Sequence, residues 1–128
     1  DRTVTRALAL LAERHEALRT ALDVAAEVQL VHAAIVPELD RTDLTALPEA
    51  DREVAYEALR AREAAHRFDL ATAPLWRAHL VRLGDADSAL VLTFHHCIYD
   101  GWSLGVLLRD LDACLAAAAS GGSPALPP

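Results

Sequence analysis

Phe94-His95-His96-Cys97-Ile98-Tyr99-Asp100-Gly101-Trp102-Ser103 is the stretch on which the reading of the fold turns. A mostly apolar run, Ala89-Leu90-Val91-Leu92-Thr93-Phe94, leads into it, and from Leu104 onward apolar residues recur at helical spacing. A short apolar run bounded by turn residues reads as a buried strand. Leu104, Leu107 or Leu108, Leu111, Leu115 and Ala118 read as one stripe of a helix running from Ser103 to about residue 119. Gly121 and Gly122 stop it. The chain therefore passes from a central strand, Ser88 to Phe94, through a tight loop into a helix, and loops at strand ends are where mixed folds place chemistry.

Histidine titrates near neutral pH and suits proton transfer. Neighbours on an extended chain point to opposite sides, so one of His95 and His96 faces inward and only one is expected to act as a base. Asp100 either orients an imidazole or pairs with an arginine to hold the loop. Gly101 permits backbone shapes that other residues resist and leaves an N–H open to a ligand oxygen. Ser103 reads as the N-cap of the helix. The ordinary alternative is a satisfied structural histidine at a strand end. A metal site lacks a third His or Cys at ligand spacing, and a triad of Ser103, His96 and Asp100 would take Ser103 from its cap.

His95-His96-Cys97-Ile98-Tyr99-Asp100-Gly101-Trp102-Ser103 resembles the His-His-x-x-x-Asp-Gly motif of nonribosomal peptide synthetase condensation domains, and the Trp102-Ser103 extension makes the match more specific. Arg14-His15-Glu16-Ala17-Leu18-Arg19-Thr20 resembles the family's Arg-His-Glu-x-Leu-Arg-Thr block. Phe68-Asp69-Leu70 with Ala73-Pro74-Leu75 is similar to its Phe-Asp-Leu…Pro-Leu segment, and the three blocks come in family order. Tyr99 stands where the family usually has a small residue and Phe94 where it usually has Met; the first bears on substrate scope.

The resemblance implies the chloramphenicol-acetyltransferase-like fold, here as its N-terminal half: a partial domain over residues 1–119, then a linker-like tail over 120–128 toward a missing C-terminal half. It implies amide bond formation between an acyl or aminoacyl thioester on an upstream peptidyl carrier protein and the amine of an aminoacyl thioester on a downstream one. Both substrates arrive on 4'-phosphopantetheine arms, with no cofactor or metal bound directly. His96 is the expected catalytic histidine, as a base or a positioning group, and Gly101 the residue that lets substrate approach. His95, Asp100, Trp102 and Ser103 support the loop, and Arg14 or Arg19 pairs with Asp100, Arg19 being favoured. The alternatives are a non-catalytic recruiting module or another acyltransferase or epimerization domain of the superfamily. His95 argues against a cyclization domain, which carries aspartates in the motif.

The 128 residues suit one domain, and 53% hydrophobic residues can bury a sizeable core. A net charge of −7 excludes nonspecific attraction to nucleic acid phosphates. Every basic residue is Arg, and with abundant Ala this reads as coding bias. Two distant cysteines make no disulfide framework, and no apolar run is long enough to span a bilayer; a cytoplasmic protein is expected.

Around the motif the chain reads α-β-β-α-β-β-α, a two-layer α/β sandwich. Residues 2 to about 15 form an amphipathic helix with Val4, Leu8, Leu11, His15 and Leu18 on its stripe. Leu18 to Leu22 is a short strand, 23–27 a turn, and Val28 to Val36 a second strand. Residues 38–49 read as an irregular acidic connection. Asp51 to Arg67 is a helix whose Glu57, Arg60 and Glu63 line an exposed face. Phe68-Asp69-Leu70 is expected to plug the core. Pro74 to Leu83 is a strand with Trp76, Ala78 and Leu80 on one face and Arg77, His79 and Val81 on the other, joined to Ser88 by a turn at Gly84-Asp85-Ala86-Asp87. His32, His66 and His79 read as ordinary structural or surface histidines, with His79 a possible neighbour of the motif pair.

Overall fold

In the computed structural model, which describes residues 2–127, the motif sits where a three-stranded sheet meets its covering helices. Strands β1 (Thr20–Asp23) and β2 (Val28–Val31) form a separate antiparallel hairpin. Strands β3 (Leu39–Asp43), β4 (Trp76–Arg82) and β5 (Ser88–Phe94) form the main sheet in that order. β3 is parallel to β4, and β4 antiparallel to β5. A parallel pair needs a crossover connection; helix α2 (Glu49–Ala64) supplies it. Helices α1 (Arg2–Arg14) and α3 (Gly101–Ser120) flank the chain's two ends.

Alternation along β4 decides which helix lies where. Trp76 and Ala78 turn to the core shared with α1 and α3, where Leu8, Leu11, Leu107, Leu111 and Cys114 are buried. Val81 turns the other way, to Leu44 and to Leu59 of α2, with Val91 of β5 beside them. α1 and α3 thus make the helical layer of the sandwich, and α2 lies against the opposite face. The buried Trp76 indole donates to Leu18 O at 2.9 Å, so its one polar group is satisfied. At the end of α3, Gly121 takes φ 76°, a left-handed conformation that only glycine adopts without steric cost.

Several expectations change. The strand expected over Leu18 to Leu22 begins at Thr20, after a 3-10 turn over Glu16–Arg19 that carries Arg19. The second strand stops at Val31, and all four of its residues are exposed; its apolar run is not core. Residues 39–43, expected to be irregular, are β3, a strand with only Leu39 buried. β5 is an edge strand, not a central one, and is largely half-buried. Phe68 is half-buried beside the motif and does not plug the core. The segment after Gly121 lies back on α1: Arg6 Nη2 donates to Gly122 O at 3.0 Å, and Arg14 Nη2 to Pro127 O at 2.6 Å.

A polar link ties the residue after α1 to the middle of α3. His15 Nε2 lies 3.0 Å from Asp110 Oδ2, while Arg109 donates from Nε and Nη2 to Oδ1 at 3.1 and 2.9 Å. Burial pushes the Asp110 carboxyl up, but hydrogen bonding and charge from Arg109, with His15 behind them, outweigh it and hold it below the usual carboxylate range. A depressed carboxylate stabilises the fold at pH above its unfolded value, and that contribution is lost as pH falls through the folded value. Asp110→Ala is expected to cost about 1–3 kcal/mol near neutral pH. Amide exchange in α1 and α3 of the full-length protein reads this, and the difference from wild type should shrink on acidification.

Candidate active site

The β4–β5 ladder runs one bond past Phe94, with His95 N donating to Leu75 O at 2.8 Å. The chain then turns, Ile98 N donating to His95 O at 3.2 Å. That turn sets the two imidazoles in different surroundings.

His95 is half-buried. Phe68 meets it edge-on, ring centroids 6.2 Å apart. Its Nδ1 lies 3.2 Å from the Cys97 backbone N and 2.9 Å from Cys97 Sγ. A backbone N–H can only donate, so Nδ1 of His95 is an acceptor and the neutral ring carries its proton on Nε2. Burial raises the Cys97 thiol above its ordinary range, leaving it a protonated donor. Neither nitrogen of neutral His95 thus has a free lone pair.

His96 is exposed, and its Nδ1 lies 3.2 Å from Tyr99 O. A carbonyl oxygen can only accept, so Nδ1 carries the proton and Nε2 keeps its lone pair. The Tyr99 ring stacks on the imidazole, with centroids 5.1 Å apart and planes 21° apart. Of the two histidines, only His96 presents a nitrogen able to take a proton.

Asp100, not Ser103, is the N-cap of α3. Its carboxylate accepts from Ser103 N at 2.8 Å and from the Ser103 hydroxyl, and Ser103 Oγ lies 3.4 Å from Asp100 N, a reciprocal capping box. The Ser103 hydroxyl, then the Ser103 backbone N–H, hold the Asp100 carboxyl below the usual carboxylate range. Among the described residues, no arginine is paired with it. Arg19 Nε donates to Ala12 O at 2.9 Å and its Nη1 to His32 O, clamping the end of α1 to the β2 side. Two backbone carbonyls outcompete a solvated carboxylate that Ser103 already satisfies. Asp100→Ala is expected to loosen the start of the helix by removing its cap, measurable as faster amide exchange over the first turn of α3; Asp100→Asn should retain most of the cap.

Gly101 opens α3 without a left-handed φ, and a Cβ there would meet nothing within 4 Å. Its conformational freedom is therefore not used; what it leaves is open space beside the loop. Trp102 is 92% exposed on the same turn. Two cavities border the loop. One of about 710 Å³ lies between α2, the outer side of β5 and Leu104 and Leu108; one of about 300 Å³ is lined by His15, Leu18, Ile98 and Val106; Tyr99 lines both. Among the described residues, no three or more His, Cys, Asp or Glu side chains are arranged to hold a metal ion, and no helix is long and apolar enough to cross a membrane.

A second polar cluster has no signature in the sequence. Glu63, 3% exposed on α2, meets His79 of β4 at 3.2 Å and Arg77 at 2.9 Å. The Arg77 contact lies off the N–H axis and is a charge contact rather than a hydrogen bond. His79 Nε2 lies 2.8 Å from Thr42 Oγ1 on β3, and Arg77 pairs with Asp40. Arg77 Nη1 also reaches His66, whose ring lies 4.6 Å edge-on from Phe68. His79 is therefore buried and fully partnered on the α2 face, away from the motif.

The sequence matches the family model described as Condensation domain over residues 1–128. It is 46% identical over 127 residues to phosphinothricin tripeptide synthetase PhsC of Streptomyces viridochromogenes, covering 98% of this chain and 12% of PhsC. It is 38% identical over 130 residues to chondramide synthase cmdD of Chondromyces crocatus, covering 99% of this chain and 3% of that one. Among solved structures, SgcC5 from Streptomyces globisporus superposes with a TM-score of 0.83 at 33% identity, over 98% of this chain and 29% of SgcC5. The X-domain in its complex with OxyB from teicoplanin biosynthesis superposes with 0.84 at 31%, over 98% of this chain and 26% of that one. The chain thus spans a small part of each relative. The mixed α/β architecture is the chloramphenicol-acetyltransferase-like fold that the motifs implied, and the chain belongs to the condensation domain family.

Proposed function

We propose that this chain carries the motif half of a condensation domain that forms an amide bond in nonribosomal peptide synthesis. The observation that supports it is the free Nε2 of His96, set by the Nδ1–H bond to Tyr99 O in an open loop. The amine of a downstream aminoacyl thioester attacks the carbonyl carbon of the upstream acyl thioester. The C–N bond forms and the C–S bond breaks. The amine proton passes to Nε2 of His96 and on to the departing thiolate. Gly101 leaves room for the reacting group, and its N–H at the helix N-terminus is available to an oxygen on which charge develops. His95, through Cys97, and Asp100, through Ser103, hold the loop in shape. Arg14 and Arg19 brace α1 and the β hairpin, and Trp102 is free to contact the C-terminal half of the domain.

The partners in this reading are upstream and downstream peptidyl carrier proteins, which present substrates on phosphopantetheine arms, the C-terminal half, and neighbouring synthetase domains. The experiment loads both carriers of the full-length synthetase and reads the downstream carrier by intact mass. The condensed product is expected; its absence with both carriers loaded overturns the reading. The likeness to an X-domain seen in complex with OxyB favours a second reading, a recruiting module, which predicts no product but retained binding of a partner enzyme.

A further inference from the structure

We propose that the Tyr99 side chain is a positioning residue for His96, an inference that rests on the amide-forming reading above. Four rings run from the core to the imidazole. Trp76, buried and bonded through its indole to Leu18 O, stacks on Phe94 at 6.1 Å and 22°. Phe94 meets Tyr99 at 5.4 Å and 53°, and Tyr99 stacks on His96 at 5.1 Å and 21°. All of these separations lie in the range of productive ring contacts. His96 is exposed and has one hydrogen bond among the described residues, at 3.2 Å. One bond fixes a point on the ring; it leaves the ring free to swing about that point. The Tyr99 ring removes the remaining freedom, setting the plane of the imidazole and so the direction of the Nε2 lone pair. The backbone carbonyl and the side chain of one residue thus fix tautomer and orientation separately, which makes them separable by substitution.

The ring position also carries consequences for what can approach. The Tyr99 ring stacks on one face of the imidazole and leaves the other to substrate. Removing the ring uncovers that face while keeping the carbonyl bond. Stacking uses the ring and not the hydroxyl, so Phe should serve as well as Tyr.

The test uses the full-length synthetase with loaded carriers, with Tyr99→Leu, Tyr99→Ala and Tyr99→Phe. Misorienting a reacting group costs rate rather than binding, so kcat should fall roughly tenfold in Leu and Ala, with KM for the downstream aminoacyl carrier changed less than about twofold. Phe should stay near wild type. Independently of turnover, diethyl pyrocarbonate modification of His96, read by peptide mass, should quicken severalfold in Leu and Ala and not in Phe. Wild-type kcat in Leu and Ala, impairment in Phe equal to theirs, or a loss confined to KM overturns the role of Tyr99 while leaving the amide-forming reading intact. No product from the wild-type protein overturns both.

Discussion

His96→Ala is expected to lower the rate of carrier-bound amide formation about 10²–10⁴-fold, the range for removing a positioned general base. Hydrogen-bond directionality, rather than motif position, singles out His96. Tyr99 O can only accept, so the proton of neutral His96 sits on Nδ1 and the lone pair on Nε2. The Cys97 N–H can only donate, so neutral His95 has the opposite tautomer and no free lone pair. Paired substitutions should follow that difference. Asn places an amide close to where Nδ1 lies. His95→Asn offers the Cys97 N–H an acceptor and should outperform His95→Ala. His96→Asn can still donate to Tyr99 O but has no base, and should be as slow as His96→Ala. Product formation at wild-type rate by His96→Ala, measured by intact mass on the downstream carrier, would remove His96 from the proton path.

The motif is legible because its parts are local. A strand, a six-residue loop and a capped helix are contiguous, and β5 runs over the residues expected, Ser88 to Phe94. The hairpin into it is equally local, with Leu83 N and Gly84 N both donating to Asp87 O. The cap lies three residues before the expected one because Asp100 and Ser103 cap reciprocally, and either reads as the N-cap from composition. What the sequence hides depends on distant partners. β3 is mostly polar, and Leu39-Asp40-Arg41-Thr42-Asp43 becomes a strand only by pairing with Ala78 to Arg82. Val28 to Val36 shows the reverse: its apolar residues Val28, Leu30 and Val31 are exposed, strand structure ends at Val31, and Ile35 is the one that packs on the core. The resemblance, with Arg19 expected on a strand near the loop, pairs Arg19 with Asp100; Arg19 instead lies in a 3-10 turn, and its several donors are served as well by backbone carbonyls, here Ala12 O and His32 O.

The widest gap between sequence and structure concerns Glu63, which reads as one more charge on a solvated helix face, and its loss is expected to be the costliest single change to the fold. Glu63→Ala removes the acceptor of His79 Nδ1 and the counter-charge of Arg77, in a site where the Glu63 and His79 side chains are 4% and 5% exposed. Breaking a buried ionic contact by deleting one partner costs about 3–5 kcal/mol, because the group left behind is still desolvated. The loss should be local to the crossover that Glu63 holds: α2 to β4 through His79 and Arg77, and β3 through Thr42 and Asp40. Amide exchange in the full-length protein should therefore quicken on the order of 10²–10⁴-fold over 49–64 and 76–82, and far less over α1. Glu63→Gln keeps an oxygen for the His79 N–H and should lose less. A Glu63→Leu, His79→Leu double substitution removes both members of the polar pair and should recover part of the loss. Unchanged exchange in Glu63→Ala would mean that water reaches the cluster and the burial argument fails. The consequence for the site runs through Arg77, whose other end holds His66 against Phe68, the ring that meets His95. Through that chain of contacts Glu63→Ala is expected to loosen Phe68 as well, and with it the half of the loop that His95 keeps in shape.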